Sequence, residues 1–115
     1  MASLVLSLKG LPQESKFLAA LAKGKVDHLV IGHLYYLTAQ SATVKRLKAL
    51  PEGTVFCSWL NERAARWVLK SLGVEVKWQL RDLTQVDDFA VFIASLPQGK
   101  GDKEELQEEL SERWY

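Results

Sequence analysis

Hydrophobic and polar positions fall into blocks along this chain, and each block has its own period. Residues 3–8 are rich in β-formers and stop at Lys9-Gly10. Pro12 then suits a first helical turn, and Phe17, Leu18 and Leu21 form an apolar stripe that Gly24 closes. Residues 28–36 predict a second strand, opened by His28 as a polar edge residue. Its Leu29-Val30-Ile31 run lacks alternation, the sign of a strand covered on both faces. Thr38 or Ser41 can cap a helix carrying Val44, Leu47 and Leu50, which stops at Pro51-Glu52-Gly53. Residues 54–60 give a third strand, again unbroken in Val55, Phe56, Cys57 and Trp59. Asn61 is an N-cap for a helix over 62–72, with Gly73 as its C′ residue.

The pattern then changes. Val74, Val76, Trp78 and Leu80 alternate with Glu75, Lys77, Gln79 and Arg81, so 74–80 predicts an edge strand with one charged face. Thr84 and Asp87 have the spacing of a capping box for a helix through Phe89, Ala90, Ile93 and Leu96. Residues 97–101 read as a linker. Asp102 and Glu105 then open a last acidic helix over 102–115, with Leu106, Leu110 and Trp114 four residues apart. Strand–helix repetition of this kind builds βαβ units with a parallel sheet. The expectation is an α/β fold: a three-layer Rossmann-like or flavodoxin-like sandwich over 1–96 with a mainly parallel four-stranded sheet, then the linker and the C-terminal amphipathic helix. The two unbroken strands, 28–36 and 54–60, are expected side by side at its middle.

Composition narrows the function classes. With 115 residues, 48% of them hydrophobic, the chain fits one domain with a core of its own. A single cysteine excludes an internal disulfide framework and a Cys-rich metal cluster held by this chain alone. No apolar run reaches the ~20 residues of a membrane span, and residues 1–9 lack a secretory pattern, so a cytoplasmic protein is expected. The formal net charge of +1 hides an asymmetry: from Asp102 onward the net is −4, whereas the preceding residues carry +5. A basic body invites an anionic partner; an acidic end solvates a helix or lies back on its own domain.

In parallel sheets, ligands bind at the carboxyl ends of strands. That rule selects Ser7, Lys9 and Gly10; His33, Tyr35 and Tyr36; Cys57, Ser58, Trp59, Asn61 and Arg63; and Arg81 with Asp82. No G-x-G-x-x-G follows a strand and no P-loop is present, so no nucleotide cofactor is expected. Cys57, near a helix N-terminus, and His33 can be read as a nucleophile pair, or Cys57 as a small core hydrophobe. His28 and His33, five apart, point to opposite faces of a straight strand and predict no metal site. Asp87-Asp88 suits a first helical turn without any catalytic role. Arg63, Arg66 and Lys70 share one helical face, with Glu62 placed to pair with Arg66, and Lys45, Arg46 and Lys48 cluster on the preceding helix. Trp59 and Trp67 near that face are either core residues or interface anchors. Leu106, Leu110, Trp114 and Tyr115 form a narrow apolar end that docks on the sheet, pairs with a second copy in a homo-oligomer, or leads into further chain.

Three stretches occur together: His33-Leu34-Tyr35-Tyr36-Leu37, Ser58-Trp59-Leu60-Asn61-Glu62-Arg63-Ala64-Ala65-Arg66-Trp67-Val68-Leu69, and Gln79-Leu80-Arg81-Asp82-Leu83. Together they resemble the N-terminal α/β region of bacterial proteins that continue into a ferredoxin-like, cysteine-rich iron–sulfur domain. This sequence departs from that pattern in having no cluster-binding cysteines up to Tyr115. The resemblance implies an accessory or docking role beside an electron-transfer unit and carries over no catalytic residues. The expected function is therefore a non-catalytic α/β module that binds a partner protein or adjacent domain. The alternative is an enzyme or a small-anion or nucleotide-binding domain using the crevice at Lys9, His33, Cys57, Asn61 and Arg63. Nucleic-acid binding has the least support, because no RNA-binding module is recognisable.

Overall fold

A computed structural model describes residues 4–9, 11–32, 34, 37–38, 40–96 and 98–106, with Glu105 and Leu106 by backbone alone. In chain order the elements are β1 (Leu4–Ser7), α1 (Gln13–Lys23), β2 (His28–Ile31), α2 (Ala42–Lys48), β3 (Val55–Ser58), α3 (Glu62–Ser71), β4 (Gln79–Asp82), α4 (Phe89–Ala94) and β5 (Lys103–Leu106). The strands form one five-stranded sheet in the order β4-β3-β1-β2-β5, and every pairing is parallel. The architecture is α/β and compatible with a Rossmann-like fold.

Every residue of β1, β2 and β3 is buried, as the unbroken apolar runs of β2 and β3 predict. Their neighbours are not as expected. β1, not the β2–β3 pair, is the central strand, and it separates the two. The chain leaves β1 for β2, then returns across β1 to β3, so the reversal point lies at β1.

Strand alternation divides the core in two. Val5, Leu29, Ile31 and Phe56 pack with Val44 and Leu47 of α2 and Ala65, Val68 and Leu69 of α3. Leu4, Leu6, Val55 and Cys57 pack with Phe17 and Leu21 of α1 and Ile93 of α4. Right-handed crossovers require this assignment, because β1-to-β2 and β4-to-β5 move one way along the sheet and the other two connections move the opposite way.

Local chemistry sets the helix ends. Ser41 and Asn61 each accept the backbone N–H three residues on, at 3.2 and 2.8 Å. α3 ends in a left-handed Gly73 (φ +81°), whose N–H bonds Lys70 O while Val74 N bonds Leu69 O. The expected capping box at Thr84 does not form. Asp82 instead caps a 3₁₀ turn over Leu83–Gln85, and Asp88 caps α4 by accepting from Ala90 and Val91 N–H. Inward and outward positions do alternate through 74–80, yet the ladder begins only at Gln79; residues 74–78 belong to no strand.

The sheet has five strands rather than four, because 103–106 is a strand and not the start of a helix. The four-residue spacing of Leu106, Leu110 and Trp114 suggested a helix; what decides is the buried β2, whose second edge needs hydrogen-bond partners. β5 supplies them, with His28↔Lys103 through Ile31↔Leu106 in register and His28 N donating to Asp102 O at 2.9 Å. Residues 107–115, with Leu110, Trp114 and Tyr115, lie outside the described residues.

Two exposed contacts secure β5. The Asp27 carboxylate accepts N–H bonds from Lys100 (3.0 Å) and Asp102 (2.9 Å). Gly99 packs so closely on that carboxylate that a Cβ would not fit. The Arg46 guanidinium grips both oxygens of Glu104, at 3.0 and 3.2 Å. The hydrogen bonds from Asp102 and Lys100 hold the Asp27 carboxyl below its ordinary range, and Arg46 does the same for Glu104.

Candidate functional site

The reversal of strand order at β1 places the expected crevice at the carboxyl ends of β1 and β3, where the following loops diverge to opposite faces. The register lines up one row of side chains there. Ser7 pairs with Ile31 and Ser58 with Asp82, each one residue past the Leu6–Cys57 and Cys57–Arg81 pairs. Since Leu80 and Ile31 belong to the α2/α3 core, this row faces that side.

Each polar group in the row is already occupied. Ser7 Oγ donates to Gly32 O at 3.1 Å. Ser58 Oγ is held to the backbone of Leu60. Asp82 accepts from Thr84 N and Thr84 Oγ1. Asn61 is spent on its helix cap. Lys9 is exposed, but its backbone N–H donates to the carboxyl of Glu14, which is only 7% exposed in the first turn of α1. Glu14 escaped the sequence reading, although its place two residues after Pro12 marks a first-turn acid. It fills the position at the β1 tip where a small anion would look for a donor.

Cys57 is fully buried on the α1/α4 side, between β1 and β4. Burial pushes its thiol well above the ordinary range, against a smaller opposing effect of Arg81. A thiolate is thereby suppressed, and Cys57 packs as a small hydrophobe. Its suggested partner His33 lies outside the described residues, as do Gly10, Tyr35 and Tyr36. His28 is buried, not a polar edge residue, with Nδ1 2.8 Å from Val26 O. Among the described residues no three His, Cys, Asp or Glu side chains gather as metal ligands.

The two tryptophans separate. Trp59 is buried beside Phe89, ring centroids 6.1 Å apart at 75°, and its Nε1 has no hydrogen-bond partner among the described residues. Trp67 stands 71% exposed on α3, leaving on the order of 150 Å² of aromatic surface in water. Around it on the same helix lie Arg63, Arg66 and Lys70, all exposed. The Glu62–Arg66 pair suggested by spacing does not form, and among the described residues these three cations enter no ion pair. Asn61, Arg63, Ala64, Trp67 and Val68 line an open hollow of about 360 Å³.

Two further hollows escaped the sequence reading. One, about 310 Å³, lies at the opposite rim of the sheet, between Lys48, Leu50, Gly73, Glu75, Lys77 and Trp78. The other, about 240 Å³, runs between α1 and α4 along Ala20, Gly24, Ala90 and Ala94. Neither gathers groups that suggest a reaction. No protein-family model, curated protein or solved structure matches the chain. No helix of the described residues is long and apolar enough to cross a membrane.

Proposed function

We propose that this chain is a non-catalytic accessory module that docks onto a partner protein or an adjacent domain, built as a three-layer, flavodoxin-like sandwich. One observation carries the reading: Trp67 is exposed on a regular, well-capped helix, whereas Cys57 is buried and Ser7, Ser58 and Asn61 are bonded to their own backbone. A tryptophan left in water contributes nothing to folding, and Trp with Arg is the pairing that dominates protein interfaces. The enzyme and small-anion alternative draws no comparable support, since Cys57 is sealed and Glu14 occupies the β1 tip. The redox setting rests on the resemblance to ferredoxin-fused proteins, carried by 33–37, 58–69 and 79–83, of which the last two cover most of α3 and all of β4.

The test is the state of the full chain at its native level in cell extract. A docking module migrates in a discrete complex with a second protein at fixed stoichiometry. A chain that migrates as free monomer overturns the reading.

A further inference from the structure

We propose that the outward face of α3 is the docking surface and that its occupant is an acidic helical segment of another protein; this rests on the docking reading above. The four residues Arg63, Arg66, Trp67 and Lys70 are separated by three, four or seven positions, apart from the adjacent Arg66–Trp67 pair. They therefore form one contiguous patch about two turns long, roughly 10 Å along the helix axis. Ala65, Val68 and Leu69 are turned into the core, so the patch is the side of α3 that its own fold leaves uncovered. Beside Trp67 the hollow floored by Ala64 and Val68 accepts one aliphatic side chain.

Charge selects the occupant. Helices α2 and α3 together carry six basic side chains and one acidic, and among the described residues only Arg46 of the six is engaged, by Glu104. A segment fitting this face presents a Leu-sized residue to the hollow and carboxylates at three- or four-residue spacing, toward Arg63, Arg66 and Lys70. A nucleic acid is the poorer fit. Trp67 is the one largely exposed aromatic among the described residues, so these offer no second platform for stacking bases, and the overall charge of +1 gives little long-range pull on a polyanion. The other surfaces offer less. The α1/α4 hollow is lined mainly by small residues without a charge pattern, and β4 presents exposed Gln79 and Arg81 at the sheet edge.

The experiment places a photo-crosslinking residue in the full chain in its native cells, as Trp67→p-benzoylphenylalanine and, for comparison, Val91→p-benzoylphenylalanine. The crosslinked peptides are then sequenced by mass spectrometry. The expected adduct forms at position 67 alone, with a stretch of a different protein holding at least three carboxylates. Binding to that segment should weaken at least tenfold in Trp67→Ala and in the double variant Arg63→Glu, Arg66→Glu. Lysines in place of the segment's carboxylates should restore binding to the double variant, a rescue that misfolding cannot imitate. An adduct with RNA, with a second copy of this chain, or with a segment lacking carboxylates overturns the proposal. An adduct at position 91 without one at 67 overturns the α3 surface and leaves the docking reading standing. Absence of adducts, with the chain free in extract, removes both.

Discussion

The two sides of this sheet solve the same packing problem with different materials. On the α1/α4 side the helices themselves contribute rings: Phe17 of α1 meets Phe89 of α4 edge-on at 5.1 Å and Phe92 in a stack at 6.3 Å, and Trp59 closes on Phe89. On the α2/α3 side the helices bury mainly aliphatic residues, the stacked pair Phe56–Trp78 coming from outside them, and they turn five exposed cations to solvent. The contrast shows where folding constrains sequence. Large rings let the six-residue α4 cover its share of the sheet, because each ring buries far more surface than an aliphatic side chain. The outer face of α3 is under no such demand, so its Trp–Arg composition needs a reason other than folding.

The largest effect expected from breaking this comparison is at Phe17. Phe17→Ala should cost about 3–5 kcal/mol in denaturant unfolding, because Phe89 and Phe92 lose their shared neighbour and α1 and α4 cannot both collapse into the gap. Next is Gly24→Ala. A Cβ there would sit 2.6 Å from Ile93 Cγ2, and the overlap should cost about 1–3 kcal/mol. Combined with Ile93→Ala the loss should be smaller than the sum of the two single losses, since the clashing methyl is gone.

These two sites also show what the sequence could and could not reveal. Unbroken apolar runs at Leu29-Val30-Ile31 and Val55-Phe56-Cys57 announced buried strands, and Asn61 and Gly73 marked both ends of α3, because burial and capping act through residues close in sequence. Strand order is set by crossovers between segments tens of residues apart, so the central place of β1 left no local trace. β5 was misread for a related reason. Its pairing is decided by the open edge of β2, 75 residues earlier, rather than by its own period. At the strand tips Ser7, Lys9 and Asp82 could be named from the sequence but their bonding partners could not: Gly32, Glu14 and Thr84 take up bonding capacity there.

Smaller effects separate the faces further. Asn61→Ala removes the cap of α3 and should lower stability by about 1 kcal/mol. Acid should act mainly at β5. Asp27 and Glu104 both have folded-state pKa values below their unfolded ones, so their contributions are complete above about pH 4 and are lost as pH falls through the folded values. Amide resonances of 28–31 and 103–106 should shift on acidification before those of β3, and Asp27→Asn should blunt that response. The smallest effect is expected at Trp67. Trp67→Ala should leave the unfolding midpoint within about 0.5 kcal/mol of wild type, and a larger loss would mean the ring serves the fold after all.

The pairing of β5 with β2, across the whole sheet from β4, has a consequence for synthesis. Successive strands join through connections of similar length, but β5 pairs with a strand 75 residues earlier, so its ladder forms last. As the polypeptide leaves the ribosome, the apolar flank of His28–Ile31 is therefore bare until the final strand emerges. During that interval any extended stretch nearby can take the vacancy, and the Lys-Glu-Glu run of β5 discourages further stacking once the native strand has claimed it.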